Sequence, residues 1–582
     1  MTPAPAERNA ETARHTRNAW LRALAGTAEV RRKALTLPQL VEHQAERFGS
    51  ATALADEGET VSFAELAARM NGYARWARAE GLGLGETACL FLPNCADYLA
   101  LWLGMARTGA SVALVNTNLK GASLAYAISI VSPRLLVVGA ELAPEIAAVL
   151  PEVGRGVGVW AHGASTGEWP RIETAQVSCA GVQLPDHPQP MSRALLLYTS
   201  GTTGLPKAAN ISHFRLMQWS AWFAGLLDAS PADRLYDCLP LYHSTGGIVG
   251  PGAMLAAGGS TIIRRKFSAR RCWDEVRETD STLFVYVGEL CRFLLNTSHS
   301  PQEMEHRIRC CFGNGFSANI WRAFQKRFAI PHILEFYAAT EGAAALYNCE
   351  GEPGAIGRIP GFLRHRLDLA LVRFDFESGV PKRGADGFCI ACAADEAGEA
   401  LAPVDPERIG AGEPFEGYLD FGATKRKILL DVFAKGDAWF RTGDLMRADA
   451  RGFYYFVDRI GDTFRCNGEN VSTEEVADAI AACPGVAQAV VYGVHEADTD
   501  GCVGMAAIVT GSGFDLESLR GYLARDLPAH ARPRYLRLCP SIARTGTFKP
   551  LKQQLAAEGC DPSRTADPLY ADDGNGFVPL CR

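Results

Sequence analysis

Short apolar segments alternate with helical segments along most of this chain, and this alternation constrains its fold most strongly. The apolar segments have strand length and read TACLFLP, ASVALVN, ALLLYT, RLYDCLP, STIIRR, TLFVYV and HILEFY. Most are separated by helical stretches, and the region begins with amphipathic helices such as LPQLVEHQAERF. Strands buried on both faces are continuously apolar, because helices cover both sides of a parallel sheet. We therefore predict an α/β fold with helix-covered parallel sheets.

The composition is that of a folded globular protein. The 582 residues are 48% hydrophobic and 21% charged, so a large core can form without disulfides or a structural metal ion. The net charge of −7 argues against general attraction to nucleic acid. The 17 cysteines are too few for a disulfide scaffold, and residues 1–26 lack the apolar segment of a signal peptide. We therefore expect reduced thiols and a cytoplasmic protein.

No segment of the sequence predicts a transmembrane helix. The longest uncharged run, residues 238–263, contains two prolines and six glycines. The N-terminal segment, with Arg14, Arg17 and Trp20, has two interpretations: an interfacial helix on anionic lipid, or a helix packed on its own domain. The second is favoured because Arg17 lies on the same helix side as Trp20. Peripheral contact at the inner membrane face stays open as an alternative.

The last 120 or so residues predict a smaller α+β unit. A helix with a capping box at Ser472 is followed by two strands, a second helix and a further strand. Gly461 begins this unit and can absorb a backbone rotation. We predict an N-terminal helical extension over residues 1–36, a large domain over 37–460 and a small mobile domain over 461–582.

The strongest local motif is YTSGTTGLPK, residues 198–207, which begins at the end of the segment ALLLYT. Its hydroxyls, glycines and lysine suit a polyphosphate, since glycines let backbone N–H groups approach phosphate oxygens. It is not a Walker A loop, because Gly-Lys-Ser/Thr is missing. The residues assigned to phosphate contact are Thr199, Ser200, Gly201, Thr202, Thr203, Gly204 and Lys207.

The motif resembles the signature of adenylate-forming enzymes, which include acyl-CoA synthetases, luciferases and peptide-synthetase adenylation domains. Other core motifs of that superfamily follow in the expected order: LPLYHSTGG (239–247), GNGFSANIW (313–321), EFYAATEG (335–342), WFRTGDL (439–445), DRIGDTFRCNGENVS (458–472) and RTGTFK (544–549). NTNLKG (116–121), GDTFR and GENVSTEEV are further similar to the fatty acid transport protein family of very-long-chain acyl-CoA synthetases. The resemblance covers about residues 37–582 and implies the adenylate-forming enzyme fold.

The residues that the resemblance assigns to nucleotide binding are also chemically suited to that role. Tyr337 offers an aromatic face for adenine, with a core tyrosine as the alternative. Thr340 and Glu341 offer a hydroxyl for phosphate and a carboxylate for Mg²⁺, with an exposed loop glutamate as the alternative. The backbone that would approach the base is that of Gly313, Asn314 and Gly315.

Other roles are implied by the resemblance alone. Asp444 would accept from the ribose hydroxyls, and Arg459 would contact ribose or phosphate. Lys549 would bridge the α-phosphate and the substrate carboxylate, stabilising charge in the transition state. His243 would lie where the carboxylate and thiol channels meet, and Gly468 would border the channel for the pantetheine arm of CoA.

The resemblance implies an ATP-dependent acyl-CoA synthetase that uses ATP, Mg²⁺ and CoA. Its substrate would be a small-molecule carboxylate with a long, very long or similarly bulky apolar chain, activated as an acyl-adenylate. The small domain would rotate about Gly461 between the two half-reactions. Two alternatives remain: an acyl-AMP ligase that transfers the acyl group to a carrier-protein thiol, and a membrane-associated fatty acid uptake component.

Overall fold

The computed structural model divides the chain into two compact units. It describes residues 5–154, 156–200, 206–364, 367–376, 378–405, 407, 415–466, 469–495, 502–545 and 548–580. The first unit is Met1–Pro353 with Val404–Lys427, and the second is Gly354–Pro403 with Ile428–Arg582. Residues 460 and 461 both lie in the second unit, and the domain boundary between them stays a prediction.

The first unit contains the helices α1 to α13 and the strands β1 to β14, numbered in chain order. The helices are α1 Pro5–Lys33, α2 Leu37–Phe48, α3 Phe63–Ala79, α4 Ala96–Arg107, α5 Gly121–Ser129, α6 Ala143–Val153, α7 Ile172–Ser178, α8 His213–Leu226, α9 Gly250–Ala257, α10 Cys272–Glu278, α11 Gly288–Leu295, α12 Ala318–Arg327 and α13 Phe421–Arg426. The strands are β1 Thr52–Ala55, β2 Thr60–Ser62, β3 Thr87–Phe91, β4 Ser111–Leu114, β5 Leu135–Gly139, β6 Gly158–His162, β7 Arg193–Ser200, β8 Pro206–Ser212, β9 Arg234–Asp237, β10 Ser260–Ile263, β11 Leu283–Val287, β12 Cys310–Asn314, β13 Ile333–Ala338 and β14 Ala345–Asn348.

These strands form two sheets that are parallel except at their edges. One has the order β6-β5-β3-β4-β7-β8, with only β8 antiparallel to its neighbour. The other has the order β14-β13-β12-β11-β9-β10-β1-β2, with β14 and β2 antiparallel at its two edges. The predicted α/β fold with parallel sheets is therefore confirmed.

Alternate residues of the strands enter different cores, which explains the continuous apolar segments. In β7, Leu195 and Leu197 join a core cluster with Trp76 of α3 and Trp102 of α4. Leu196, between them, joins a second cluster on the opposite face of the sheet. A strand covered on both faces has no solvent-facing position for a polar side chain.

The N-terminal helix α1 packs against α8 of the first unit. Trp20 is buried, with its ring edge-on to Trp222 and Tyr347 at centroid distances of 5.8 and 5.7 Å. A Cβ on Gly225 of α8 would lie only 2.5 Å from the backbone nitrogen of Ala23, so glycine permits this close approach. The Trp20 side of α1 thus faces its own unit, as the favoured interpretation predicted.

Among its described residues, the second unit combines three antiparallel sheets with one mixed sheet. Its strands are β15 Gly357–Arg358, β16 Ala370–Val372, β17 Phe374–Asp375, β18 Val380–Pro381, β19 Gly398–Pro403, β20 Ile428–Leu430, β21 Ala438–Ala448, β22 Phe453–Arg459, β23 Phe464–Cys466, β24 Glu469–Val471, β25 Val486–His495, β26 Cys502–Thr510, β27 Tyr535–Leu538, β28 Leu569–Asp572 and β29 Phe577–Pro579. Its helices are α14 Thr473–Ala481, α15 Leu516–Asp526 and α16 Lys552–Glu558. As predicted, α14 begins after the N-cap Ser472, whose side chain accepts from the N–H of Glu475.

The second unit contains the antiparallel sheet β15-β22-β21-β19-β16 and the sheet β25-β26-β27-β28-β29. The latter packs with α14 and α15 around buried residues such as Ile480 and Leu519. Across the part of the chain described, no helix is both long enough and apolar enough to cross a membrane.

Candidate active site

The carboxyl ends of β12 and β13 bring the adenine candidates together in the first unit. The two strands are parallel, and Gly313 of β12 pairs with Glu335 of β13. Asn314 ends β12, Gly315 follows it, and Tyr337 lies half-buried near the end of β13. In open parallel sheets, ligands bind in the crevice at the carboxyl ends of the strands. This edge is therefore a suitable nucleotide site.

Packing inside the sheet also requires glycine at position 313, which the sequence did not reveal. A Cβ at this position would lie 2.0 Å from the carbonyl oxygen of Tyr286 on the neighbouring strand β11. No side chain fits there without a backbone shift, so glycine is required at this position whether or not a nucleotide binds.

Glu335 is a buried carboxylate that sequence reasoning missed. It is 1% exposed and accepts hydrogen bonds from the Tyr286 hydroxyl at 2.5 Å and from the N–H groups of Gly315 and Phe316 at 2.5 and 3.2 Å. Burial raises the pKa of Glu335 to about 8, although these three donors oppose the shift. The carboxyl group thus fixes the turn after β12 to β13.

Thr340 and Glu341 follow β13 in a turn held by a second buried residue that the sequence analysis missed. Arg215 of α8 is 3% exposed and donates to the backbone carbonyls of Glu341 at 2.8 Å and Thr340 at 2.6 Å. The Glu341 carboxylate accepts from the hydroxyl of Tyr418. These contacts order the turn that carries the predicted phosphate and metal ligands.

The predicted phosphate loop connects β7 to β8. Thr199 and Lys207, both half-buried, are cross-strand partners at the base of this hairpin. The Nζ of Lys207 lies over the ring of Tyr418, 5.7 Å from its centroid. Gly201, Thr202, Thr203, Gly204 and the side chain of Ser200 lie outside the described residues.

The residues present fit Mg²⁺ held together with nucleotide phosphates. Glu341 supplies a buried carboxylate with 8% residue exposure, and Thr340 supplies a neighbouring hydroxyl. Among the described residues, no group of three or more His, Cys, Asp and Glu side chains could hold a metal ion. Mg²⁺ characteristically takes one or two protein carboxylates and completes its shell with phosphate and water.

His243 lies in the connection between β9 and α9. It is half-buried, its ring is 4.7 Å from that of Tyr242, and its carbonyl accepts from the N–H of Gly247 at 2.7 Å. A π-helical turn, Thr245–Val249, follows. Such turns are frequent at functional sites, so the local backbone suits a functional His243.

Asp444, Arg459 and Lys549 all lie in the second unit. Asp444 of β21 pairs with Arg459 of β22, and the Arg459 Nε is 3.5 Å from the Asp444 carboxylate. Lys549 is exposed, and its N–H donates to the Thr545 hydroxyl at 3.0 Å. The positive charge of Arg459 lowers the pKa of Lys549 to about 8. Gly468, the predicted channel residue, lies outside the described residues.

The protonation of Glu335 predicts a pH dependence of stability. Between the ordinary glutamate pKa of 4.5 and the folded value of about 8, the folded protein retains a proton that the unfolded chain releases. The free energy of unfolding therefore falls as pH rises through this window. Glu335→Gln keeps an acceptor for Gly315 and can donate to Tyr286, but it does not titrate.

We expect the thermal unfolding midpoint of Glu335→Gln to increase relative to that of the wild type as pH rises from 5 to 8. Both proteins share all other titrating groups, so their difference isolates this carboxyl group. A difference that stays constant over this pH range would contradict the assignment.

The pKa of Lys549 predicts its chemical reactivity. Amine acylation requires the uncharged form, so Lys549 should be half-maximally labelled near pH 8 in the folded protein. In the urea-unfolded protein, half-maximal labelling of the same lysine should require a pH of about 10.4. Arg459→Gln should move the folded-state midpoint upward, because it removes the repelling charge. Mass spectrometry of the peptide that contains Lys549 measures the pH of half-maximal labelling. The same value in the folded and the unfolded protein would refute the prediction.

Two family models match this chain in order. The model described as AMP-binding enzyme matches residues 41–383, and the model described as AMP-binding enzyme C-terminal domain matches residues 475–549. The first match contains the β7–β8 hairpin and the turn after β13, and the second ends at Lys549.

Similar proteins and structures extend over nearly the whole chain. Long-chain fatty acid transport protein 6 of Homo sapiens is 37% identical over 90% of this chain and 86% of its own length. Long-chain fatty acid transport protein 1 of Mus musculus is 36% identical over 94% and 87%, respectively.

Among solved structures, ATP-bound MatB from Rhodopseudomonas palustris has a TM-score of 0.73 at 25% identity, with 90% of this chain and 99% of that chain covered. The anthranilate CoA ligase AuaEII in complex with anthranoyl-AMP has a TM-score of 0.76 at 18% identity, covering 90% and 97%, and shows the shared fold. This chain therefore belongs to the AMP-binding enzyme family and, within it, to the group of the long-chain fatty acid transport proteins.

Proposed function

We propose that this chain is an ATP-dependent acyl-CoA synthetase for long-chain, very-long-chain or similarly bulky apolar carboxylates. The substrate carboxylate attacks the α-phosphorus of ATP, which gives an acyl-adenylate and releases pyrophosphate. The CoA thiol then attacks the acyl carbonyl, and AMP leaves. We place the protein in the cytoplasm. Peripheral contact with the inner membrane face, through exposed arginines of α1 such as Arg14 and Arg17, stays the alternative.

The observation that carries this proposal is the grouping of Glu341, Lys207 and Tyr418 in the first unit. The carboxylate proposed for the metal ion accepts from the Tyr418 hydroxyl, and the ammonium group of the phosphate-loop lysine lies over the ring of the same tyrosine. This arrangement suits a nucleoside triphosphate with its metal ion, because a buried carboxylate and a lysine are held close together beside the ends of parallel strands.

In this proposal, each residue of the first unit has a defined task. Tyr337 stacks on adenine, and the backbone of residues 313–315 approaches the base. Thr340 contacts phosphate, while Glu341 holds Mg²⁺, which neutralises phosphate charge when bound. The residues of the β7–β8 loop contact the phosphates together with Lys207. His243 lies at the junction of the carboxylate and thiol channels.

In the second unit, Asp444 accepts from the ribose hydroxyls and Arg459 contacts ribose or phosphate. Lys549 donates to the attacked phosphate and the substrate carboxylate, and Gly468 borders the pantetheine channel. The lowered pKa of Lys549 leaves its ammonium form predominant at pH 7, the form that stabilises negative charge.

The names of the relatives support the substrate class. The fatty acid transport proteins are named for long-chain fatty acids, which have the apolar chain that we propose. AuaEII is named a CoA ligase, which favours CoA over a carrier-protein thiol as the acceptor.

Separate assays of the two half-reactions test this function. Wild-type protein should release AMP and form a thioester when given ATP, Mg²⁺, CoA and a long-chain fatty acid. Lys549→Ala should slow adenylation by at least about 10²- to 10³-fold, because it removes an oriented charge-stabilising group. The same variant should still convert synthetic acyl-adenylate and CoA to thioester.

Lys552→Ala is the matched control, because Lys552 is a nearby lysine whose Nζ donates to the Thr473 hydroxyl within its own unit. It should retain adenylation if the effect is specific to Lys549. Equal losses in both half-reactions of Lys549→Ala would contradict the proposed role. Wild-type acyl-adenylate formation without CoA thioester would instead indicate a carrier-protein acceptor.

A further inference from the structure

Tyr418 contacts two residues of the proposed phosphate and metal site. It is 5% exposed, and its hydroxyl donates to Oε1 of the Glu341 carboxylate. The Lys207 ammonium lies over the face of its ring, 5.7 Å from the centroid. Sequence reasoning assigned Lys207 to phosphate and Glu341 to Mg²⁺ but gave Tyr418 no task. One side chain therefore joins two elements that are more than one hundred residues apart in sequence.

The backbone around Tyr418 forms an additional strand-like segment beside β8. The Asn210 N–H donates to the Gly417 carbonyl at 3.0 Å, and the Leu419 N–H donates to the Ala208 carbonyl at 2.8 Å. Tyr418 pairs with Ala209 of β8, two residues after Lys207. Strand β8 therefore positions both residues: it carries Lys207, and its backbone holds the segment that carries Tyr418.

Buried polar contacts restrict the segment further. The Tyr418 N–H donates to the hydroxyl of Thr424, a residue that is 1% exposed. The carboxylate of Glu416 accepts from the N–H and the hydroxyl of Ser212, at 2.7 and 2.5 Å. The Glu416 N–H also donates to the Glu341 carbonyl at 3.3 Å. The segment is thus fixed to the two elements whose side chains Tyr418 contacts.

We propose that Tyr418 is a positioning residue of the Mg²⁺·ATP site, orienting the Glu341 carboxylate through its hydroxyl and holding Lys207 on its ring face. This inference rests on the proposed function, because it takes ATP and Mg²⁺ as the ligands. A hydrogen bond to one oxygen of a ligating carboxylate fixes the orientation of the other oxygen, and such outer contacts tune metal affinity.

The aromatic face suits Lys207 for an electrostatic reason. A carboxylate partner would neutralise the ammonium group and compete with phosphate. The ring attracts the cation through its quadrupole and adds no net negative charge. Lys207 therefore stays in place while retaining its positive charge for the nucleotide.

Two substitutions separate the hydroxyl from the ring. Tyr418→Phe removes the hydrogen bond to Glu341 and keeps the ring under Lys207, whereas Tyr418→Leu removes both. Tyr236→Phe is the matched control: Tyr236 is buried in the same unit and donates to the buried carboxylate of Glu275 at 2.7 Å, and neither residue is assigned to the proposed site. ATP binding is measured by calorimetry with Mg²⁺ and with EDTA, without acid or CoA, alongside the thermal unfolding midpoint.

We expect Tyr418→Phe to bind ATP about tenfold more weakly in Mg²⁺, a change typical of a lost outer-shell contact, with unchanged affinity in EDTA. Tyr418→Leu should also weaken binding in EDTA, because Lys207 loses its ring. Tyr236→Phe should match wild type in both conditions, even where its unfolding midpoint falls.

The inference is overturned if Tyr418→Phe binds Mg²⁺·ATP as tightly as wild type or more tightly. It is also overturned if Tyr236→Phe weakens Mg²⁺·ATP binding as much, since loss of any buried tyrosine hydroxyl would then explain the effect. Wild-type protein that binds no ATP would contradict the proposed function itself. Wild-type binding with an unaffected Tyr418→Phe would contradict this inference alone.

Discussion

The parallel pairing of β12 with β13 is the constraint on which the proposed nucleotide site of the first unit depends. It places Gly313 beside Glu335, so the turn after one strand and the aromatic end of the next emerge at the same edge. In an antiparallel pair, the carboxyl ends of the two strands would lie at opposite edges of the sheet. The phosphate-loop hairpin belongs to the other parallel sheet, and Tyr418 links it to the turn after β13.

Buried polar side chains hold the turns at this edge. Glu335 and Arg215 are each almost completely buried, and each has hydrogen-bond partners on backbone atoms of the turns that it holds. An unsatisfied polar group of this kind would cost about 1–3 kcal/mol or more if charged. A turn whose backbone forms hydrogen bonds with such a group is therefore stabilised in one conformation. A binding site for a defined ligand requires such a fixed conformation.

The sequence predicted the parallel sheets well because their physical signature is local. A strand covered on both faces is continuously apolar, as Leu195, Leu196 and Leu197 illustrate by entering two different clusters. The strands β15 to β22 were not predicted, and five of them are only two or three residues long. Short antiparallel strands leave too few alternating positions for a periodic signal.

The candidate site was predicted where function resides in a contiguous motif. Tyr337, Thr340, Glu341 and Lys207 all occur in such motifs, whereas Arg215, Glu335 and Tyr418 act through contacts that only the fold creates. Glu335 is the first residue of the motif that contains Tyr337, but its task follows from strands β11 and β12, which lie elsewhere in the sequence. An acidic residue inside an apolar strand was the one local signal that could have identified it.

Amide hydrogen exchange in the presence and absence of Mg²⁺·ATP tests the central claim that separate turns form one nucleotide site. Residues 313–316, 337–341 and 416–419 should all exchange more slowly when Mg²⁺·ATP is bound, and the Tyr418→Phe variant should show less protection at residues 339–341. Slower exchange confined to other parts of the first unit, with these three segments unchanged, would contradict the account.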